Sequence, residues 1–82
     1  MNEGEIKDVI FRSLKQIAPD TEPSGLSPDE SIREALYIDS FDYLQFIVSL
    51  DEKLGVEIPE EDYGKIVTLR SLMDYINAYK KA

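Results

Sequence analysis

The stretch from Asp39 to Gly55 restricts the fold more than any other part of the sequence. Asp39 is a helix-starting residue, because its short carboxylate accepts hydrogen bonds from first-turn amides, and Asp42 three positions on partly imitates a capping box. Gly55 is a helix-ending residue, since it takes the left-handed conformation without a Cβ clash. Between them Phe46, Ile47, Leu50 and Leu54 recur at helical spacing as an inward face, with Leu44 and Val48 toward its edge and Phe41 near its start. That is more apolar surface than one narrow stripe holds, so part of it is expected to stay exposed. The Ser40 hydroxyl, one residue past the cap, is expected to project into solvent where exposed amides and the positive end of the helix dipole favour negative charge.

The rest of the chain reads as helices to pack against this one. From Glu3 to Ile17, Ile6, Val9, Ile10, Leu14 and Ile17 follow the three-and-four spacing of an amphipathic helix that Ala18-Pro19 ends, with Phe11 at the edge of the stripe. Lys7, Arg12 and Lys15 make this the least acidic face. Pro19 to Ile38 form a long connection that opens on a cluster of turn formers. Within it Ser27-Pro28-Asp29-Glu30 combines an N-cap, a proline at the first helical position and a capping-box glutamate, which predicts one or two helical turns from that point. Leu26, Ile32 and Leu36 are expected to anchor the connection to the core. After Gly55, Pro59 opens a short helix from Glu60 to about Lys65 with Tyr63 directed inward. A last helix from near Thr68 puts Leu69, Leu72, Met73 and Ile76 on one face, with Lys80 and Lys81 complementing its negative end. The prediction is an all-α fold: a small up-down bundle of three main helices and a short one, forming a single domain over residues 1–82.

Chemistry is limited by what the chain lacks. It has no cysteine and no histidine, which removes thiolate metal sites and the usual general base. Ser40 therefore has no histidine to take its proton, and Asp39 beside it is more use as a cap than as a base. Seventeen acidic residues could supply an acid and a base, but such work needs carboxylates paired in a sheltered cleft, and a chain of 82 residues offers little shelter. Glu57, Glu60, Glu61 and Asp62 do not follow the spacing of a calcium loop, so loose divalent binding is expected rather than a specific metal site. A net charge of −8 repels nucleic acid and favours partners with basic docking patches. The N-terminus has no positively charged start followed by an apolar run, and no stretch approaches the ~20 apolar residues of a membrane span. A cytoplasmic monomer without membrane insertion is the expectation.

These residues carry a resemblance. Asp39-Ser40-Phe41 at a helix start, the acid-flanked helix behind it and the Gly55-Val56-Glu57-Ile58-Pro59 turn resemble the acyl carrier proteins, whose Asp-Ser-Leu motif receives a 4′-phosphopantetheine arm on the serine. The likeness runs from Ile6 to about Tyr79. It implies that Ser40 takes the arm from coenzyme A through a phosphopantetheinyl transferase, and that the chain is a carrier rather than an enzyme. The arm's thiol would then present an acyl group, as a thioester, to acyl-loading and acyl-transfer enzymes of fatty acid, lipid or secondary metabolite biosynthesis. It further implies that Phe41, Leu44 and Val48 meet those enzymes, and that Asp39, Asp42, Asp51 and Glu52 surround them with ionic contacts. For Leu44 and Val48, simple core packing competes with that role.

Two other readings stay open on the residues alone: a peptidyl or aminoacyl carrier, and an acidic helical adaptor without a prosthetic group. The chain also departs from the family's pattern. Tyr37-Ile38 stands where a Gly-Ala-type pair is typical, Phe41 replaces leucine, and Gln45 is neutral where an acid is common. All three departures are expected on the partner-facing side, which suggests a specialised carrier with its own loading enzyme. The competing expectation is that Tyr37 and Ile38 fold inward over Leu36.

Overall fold

The computed structural model describes residues 2–81, with the surroundings of the Lys80 and Lys81 side chains outside the described set. Four α-helices follow in order: α1 over Glu3–Ile17, α2 over Ile32–Leu36, α3 over Ser40–Leu54 and α4 over Leu69–Lys81. Two 3-10 segments join them, Pro23–Gly25 and Glu60–Lys65. The three long helices and the short segment at Glu60 are those the sequence predicts. The five-residue α2 supplies the one or two turns expected within the long connection, but it begins later than the Ser27 cap suggests.

The reason lies in long-range bonds that compete with local helix. Glu30 does reach back to the Ser27 amide at 2.9 Å, so half of the expected capping box forms. Beyond it the chain turns to α4 instead. Arg70 donates its amide to the Pro28 carbonyl at 2.9 Å, Ile32 donates its own to Val67 at 3.0 Å, and Ser31 and Thr68 form an isolated antiparallel bridge. The Arg70 guanidinium reinforces this seam by pairing with Asp29 at 2.8 Å. Helix can start only once that pairing ends, with Ser31 as the cap whose hydroxyl accepts the Glu34 N–H. α4 starts from the other side of the same seam. There Thr68 and Ser71 cap each other, each side-chain oxygen accepting the other's amide proton, at 3.1 and 3.0 Å.

The core lies between α1, α3 and α4 and is built almost wholly from the apolar positions at helical spacing. Ile6, Ile10 and Leu14 of α1 meet Phe46, Ile47, Leu50 and Leu54 of α3 and Leu69, Leu72, Met73 and Ile76 of α4, all buried. Leu26, Ile32 and Leu36 seal the long connection against it, and Val56, Ile58 and Ile66 do the same for the later one. Val9, Phe11, Ile17 and Tyr63 lie half-covered at its margin. Ser13 is a polar residue inside this boundary, and the Lys53 ammonium donates to its hydroxyl at 3.2 Å from the far end of α3.

Both ends of α3 depend on left-handed backbone. Gly55 ends the helix at φ 67°, and its amide donates to Asp51. Tyr37, which ends α2, stands at φ 55° and ψ 44°, a conformation that costs a residue with a Cβ ~1 to 2 kcal/mol. Between Tyr37 and Ser40 the chain has just two residues in which to turn from α2 into α3.

Candidate functional site

Asp39 sets the geometry of the α3 start. Its backbone is extended (φ −77°, ψ 174°), its carboxylate accepts the Asp42 N–H at 2.8 Å, and its carbonyl accepts the Tyr43 N–H at 3.0 Å. The Asp42 side chain makes no bond back to the Asp39 amide among the described residues, so only the forward half of the predicted capping box exists. The Ser40 and Phe41 amides, which a helix of this sense cannot use internally, are left at the helix end. Ser40 itself is exposed, and its hydroxyl has no partner among the described residues.

Beneath Ser40 the helix is locked in place by Tyr43. Its ring is buried, packs on Phe46 with centroids 5.6 Å apart, and sends its hydroxyl 23 residues along the chain to donate to the Ile66 carbonyl at 2.7 Å. The Arg33 guanidinium lies 6.0 Å from the ring centroid and donates through Nε to the Ile38 carbonyl at 3.3 Å, tying α2 to the turn before Ser40. Burial pushes the Tyr43 phenol up from the ordinary 10.0 to about 12, with the nearby Arg33 charge acting the other way. An open groove of about 580 Å³ runs past this point, with Ser40, Arg33, Tyr43, Leu44, Tyr63 and Val67 among its walls.

Along α3 the expected surface residues are arranged as follows. Phe41 is 66% exposed, Leu44 45% and Val48 49%, at positions that share one face of the helix. Simple core packing of Leu44 and Val48 is thereby excluded. Asp51 and Glu52 are exposed toward the other end, and Asp42 is half-buried beside the cap. Ile38 differs from expectation: it is 5% exposed and part of the core, so of the pair before the motif only Tyr37 faces out. The turn accounts for this: just past the left-handed Tyr37 the Ile38 amide closes back on the Arg33 carbonyl at 2.9 Å, the helix-ending arrangement in which an apolar residue after the left-handed one packs against the helix.

Two residues of the site escape the sequence reading. Tyr43 stands three and four positions before Phe46 and Ile47, so helical spacing alone could have placed it on the inward face. Arg33 carries no such signal. The acidic run around Pro59 is not gathered into a site either. Asp62 accepts the Tyr75 hydroxyl at 2.7 Å and pairs with Lys65 at 3.2 Å, which holds its carboxyl below the usual range, the Tyr75 bond contributing most. Among the described residues, no three acidic side chains converge as metal ligands.

The same bond raises the Tyr75 phenol to about 12. Tyr43 and Tyr75 thus hold their protons more tightly in the folded chain than in the open one. Their contribution to stability is complete below about pH 10 and is lost as pH climbs through 12. In an alkaline titration followed by phenolate absorbance, these two rings should respond only near pH 12 or on unfolding. Tyr43→Phe should remove one ring from that late set. It should also lower Tm by about 4 to 8 °C, because the Ile66 carbonyl loses its buried donor at a cost of ~1 kcal/mol. A Tm unchanged in Tyr43→Phe would mean that the hydroxyl does not tie α3 to Ile66.

Comparison with known proteins points in one direction. Residues 8–76 match the family model described as the phosphopantetheine attachment site. The chain is 36% identical over 80 residues to an acyl carrier protein of Thermosynechococcus vestitus, with 94% of each chain covered. It is 33% identical over 79 residues to one of Rubrobacter xylanophilus, covering 93% of this chain and 98% of the other. A solved acyl carrier protein from Enterococcus faecalis superposes with a TM-score of 0.73 at 28% identity, over 96% of this chain and 99% of that one.

Proposed function

The chain belongs to the acyl carrier protein family, a group of carriers rather than catalysts, and we propose on that premise that Ser40 is the residue bearing its 4′-phosphopantetheine arm. The observation that carries this reading is the hydroxyl at the start of α3, exposed and with no partner among the described residues, beside two amides that the helix leaves unused. A phosphodiester suits this place: its negative charge is favoured by those amides and by the helix dipole. The thiol at the end of the arm is the group that holds an acyl chain as a thioester.

The chain's own residues supply position and little else. Asp39 fixes the first turn, Tyr43 fixes the helix beneath it, and Ser40 Oγ forms the bond to phosphorus as the phosphoanhydride bond of coenzyme A breaks and adenosine bisphosphate leaves. Among the described residues the hydroxyl has no acceptor for its proton, Asp39 being engaged as the cap, and the sequence has no histidine, so a phosphopantetheinyl transferase has to provide the base. Phe41, Leu44 and Val48, with Asp39, Asp42, Asp51 and Glu52 around them, form the docking face for that transferase and for acyl-loading and acyl-transfer enzymes with basic patches. In this reading the protein is a cytoplasmic, monomeric, one-domain carrier. No helix among the described residues is long and apolar enough to cross a membrane.

The test is intact mass after incubation with coenzyme A and a broad-specificity transferase. The folded protein should gain a single phosphopantetheine, and a folded protein that gains none would refute the proposal.

A further inference from the structure

Among the described residues Tyr37 is the sole non-glycine residue with left-handed backbone. It is also 93% exposed, more than any other large apolar or aromatic residue described. These two facts do not belong together on stability grounds. Glycine would take the same turn free of strain, as it does at Gly55. The hydrogen bond that Tyr37 contributes, from its amide to the Arg33 carbonyl, is a backbone bond that glycine would make equally well. The ring gains no burial in return. A bulky residue is therefore held in a conformation that disfavours it, at a place where nothing among the described residues offsets the cost.

Resting on the carrier reading above, we infer that the offset comes from outside: Tyr37 is a recognition residue whose ring enters an apolar cleft, rimmed by lysine or arginine, on a dedicated acyl-loading enzyme. Charge argues for that chemistry. The shallow grooves on either side of Tyr37 are walled by Asp20, Glu22, Glu30 and Glu34, and Asp39 lies two residues beyond it. An aromatic ring set among carboxylates is complementary to a cleft with a basic rim. Phe41, the second residue of α3 and also exposed, continues the apolar surface toward Leu44. The footprint thus extends past Ser40 onto the end of α2 and the long connection, beyond the α3 face. Enzymes shaped for a small residue at this turn would meet the ring as an obstruction, so the same side chain admits one partner and excludes others.

The test uses the full chain with Tyr37→Gly and Tyr37→Phe, each loaded with its arm by a broad-specificity transferase and coenzyme A. Arm-bearing proteins are then acylated in a clarified extract of the source cells, followed by intact mass over time. Tyr37→Gly should raise Tm by about 2 to 5 °C, since strain is relieved and no packing is lost while glycine's greater freedom in the unfolded chain takes back part of the gain. Its acylation in the extract should fall about tenfold or more, as expected for loss of an anchoring aromatic. Tyr37→Phe should keep the wild-type acylation rate. Equal acylation of wild type and Tyr37→Gly would overturn the inference, as would a fall in Tm for Tyr37→Gly, which would reveal the ring as a packing residue. A wild-type protein that takes the arm but gains no cargo in the extract would overturn it alone, leaving the carrier reading intact. Failure of the wild type to take the arm would remove both.

Discussion

Ser40→Ala is expected to stay at its unmodified mass under conditions that convert the wild type completely, and to melt at the same temperature. The two halves of this result come from one feature. The hydroxyl is the one atom at the α3 start that can form the phosphodiester, and it has no partner within the described residues, so removing it deletes the chemistry and no internal bond. Alanine is at least as good a helix residue as serine, which leaves the first turn, capped by Asp39, undisturbed. The measurement is intact mass beside a thermal melt on the same preparation. The remaining exposed serines act as internal controls: Ser24, for example, already donates its hydroxyl to Glu22 and lies within the short 3-10 segment of the long connection, not at the start of a long helix. An alanine variant that still gained an arm would move the attachment site elsewhere and end the assignment.

Phe46→Ala should be the most damaging single substitution in the domain. Phe46 is fully buried, heads the set of large buried side chains, and packs against Tyr43, the residue that secures the helix under the site. Truncating a buried phenylalanine costs ~3 to 5 kcal/mol through lost transfer energy and the cavity left behind. A small domain has about 5 to 15 kcal/mol in all, so a large share of the margin disappears. The expected result is a fall in Tm on the order of 15 °C or more, or a chain that no longer melts cooperatively, read by circular dichroism at 222 nm. Phe46→Leu should lose far less. A variant with Phe46→Ala that melted within a few degrees of wild type would mean that the three long helices do not share one core.

What could be read in advance follows the range of the forces involved. The caps at Asp39 and Gly55 and the stripes on α1, α3 and α4 are local, and they lie where spacing and residue type put them. The Ser27 signal is equally local and forms its bond, but the helix it announces is displaced to Ile32 by pairing with Val67, Thr68 and Arg70, partners that no short window contains. Tyr43 is half legible: its spacing marks it for the core, whereas the Ile66 carbonyl that receives its hydroxyl does not. At the site, Leu44 and Val48 could not be assigned to core or surface from a helix apolar on too many sides. Only the partners packed around α3 decide that. Tyr37 is the instructive failure. Left-handed turns are recognised by the glycine that fills them, and a tyrosine in that place conceals the turn and so the opposite fates of Tyr37 and Ile38.

The seam between the long connection and the start of α4 determines where this chain can be lengthened. Pro19 to Gly25 is anchored through the buried Pro23 ring, but its tip at Ser24 and Gly25 is exposed, and nothing lies near the position a Cβ would take on Gly25. A peptide tag or a reporter loop spliced there would open two local turn bonds, Gly25 to Glu22 and Leu26 to Pro23, and add loop-closure entropy of about 0.6 kcal/mol for each doubling in length, while leaving the seam to α4 intact. The same insert between Pro28 and Ile32 would part Ser31 from Thr68 and Asp29 from Arg70 and so release α2 from the N-terminus of α4. Two splice points only a few residues apart would thus give one carrier with a handle and one whose serine is no longer held in place.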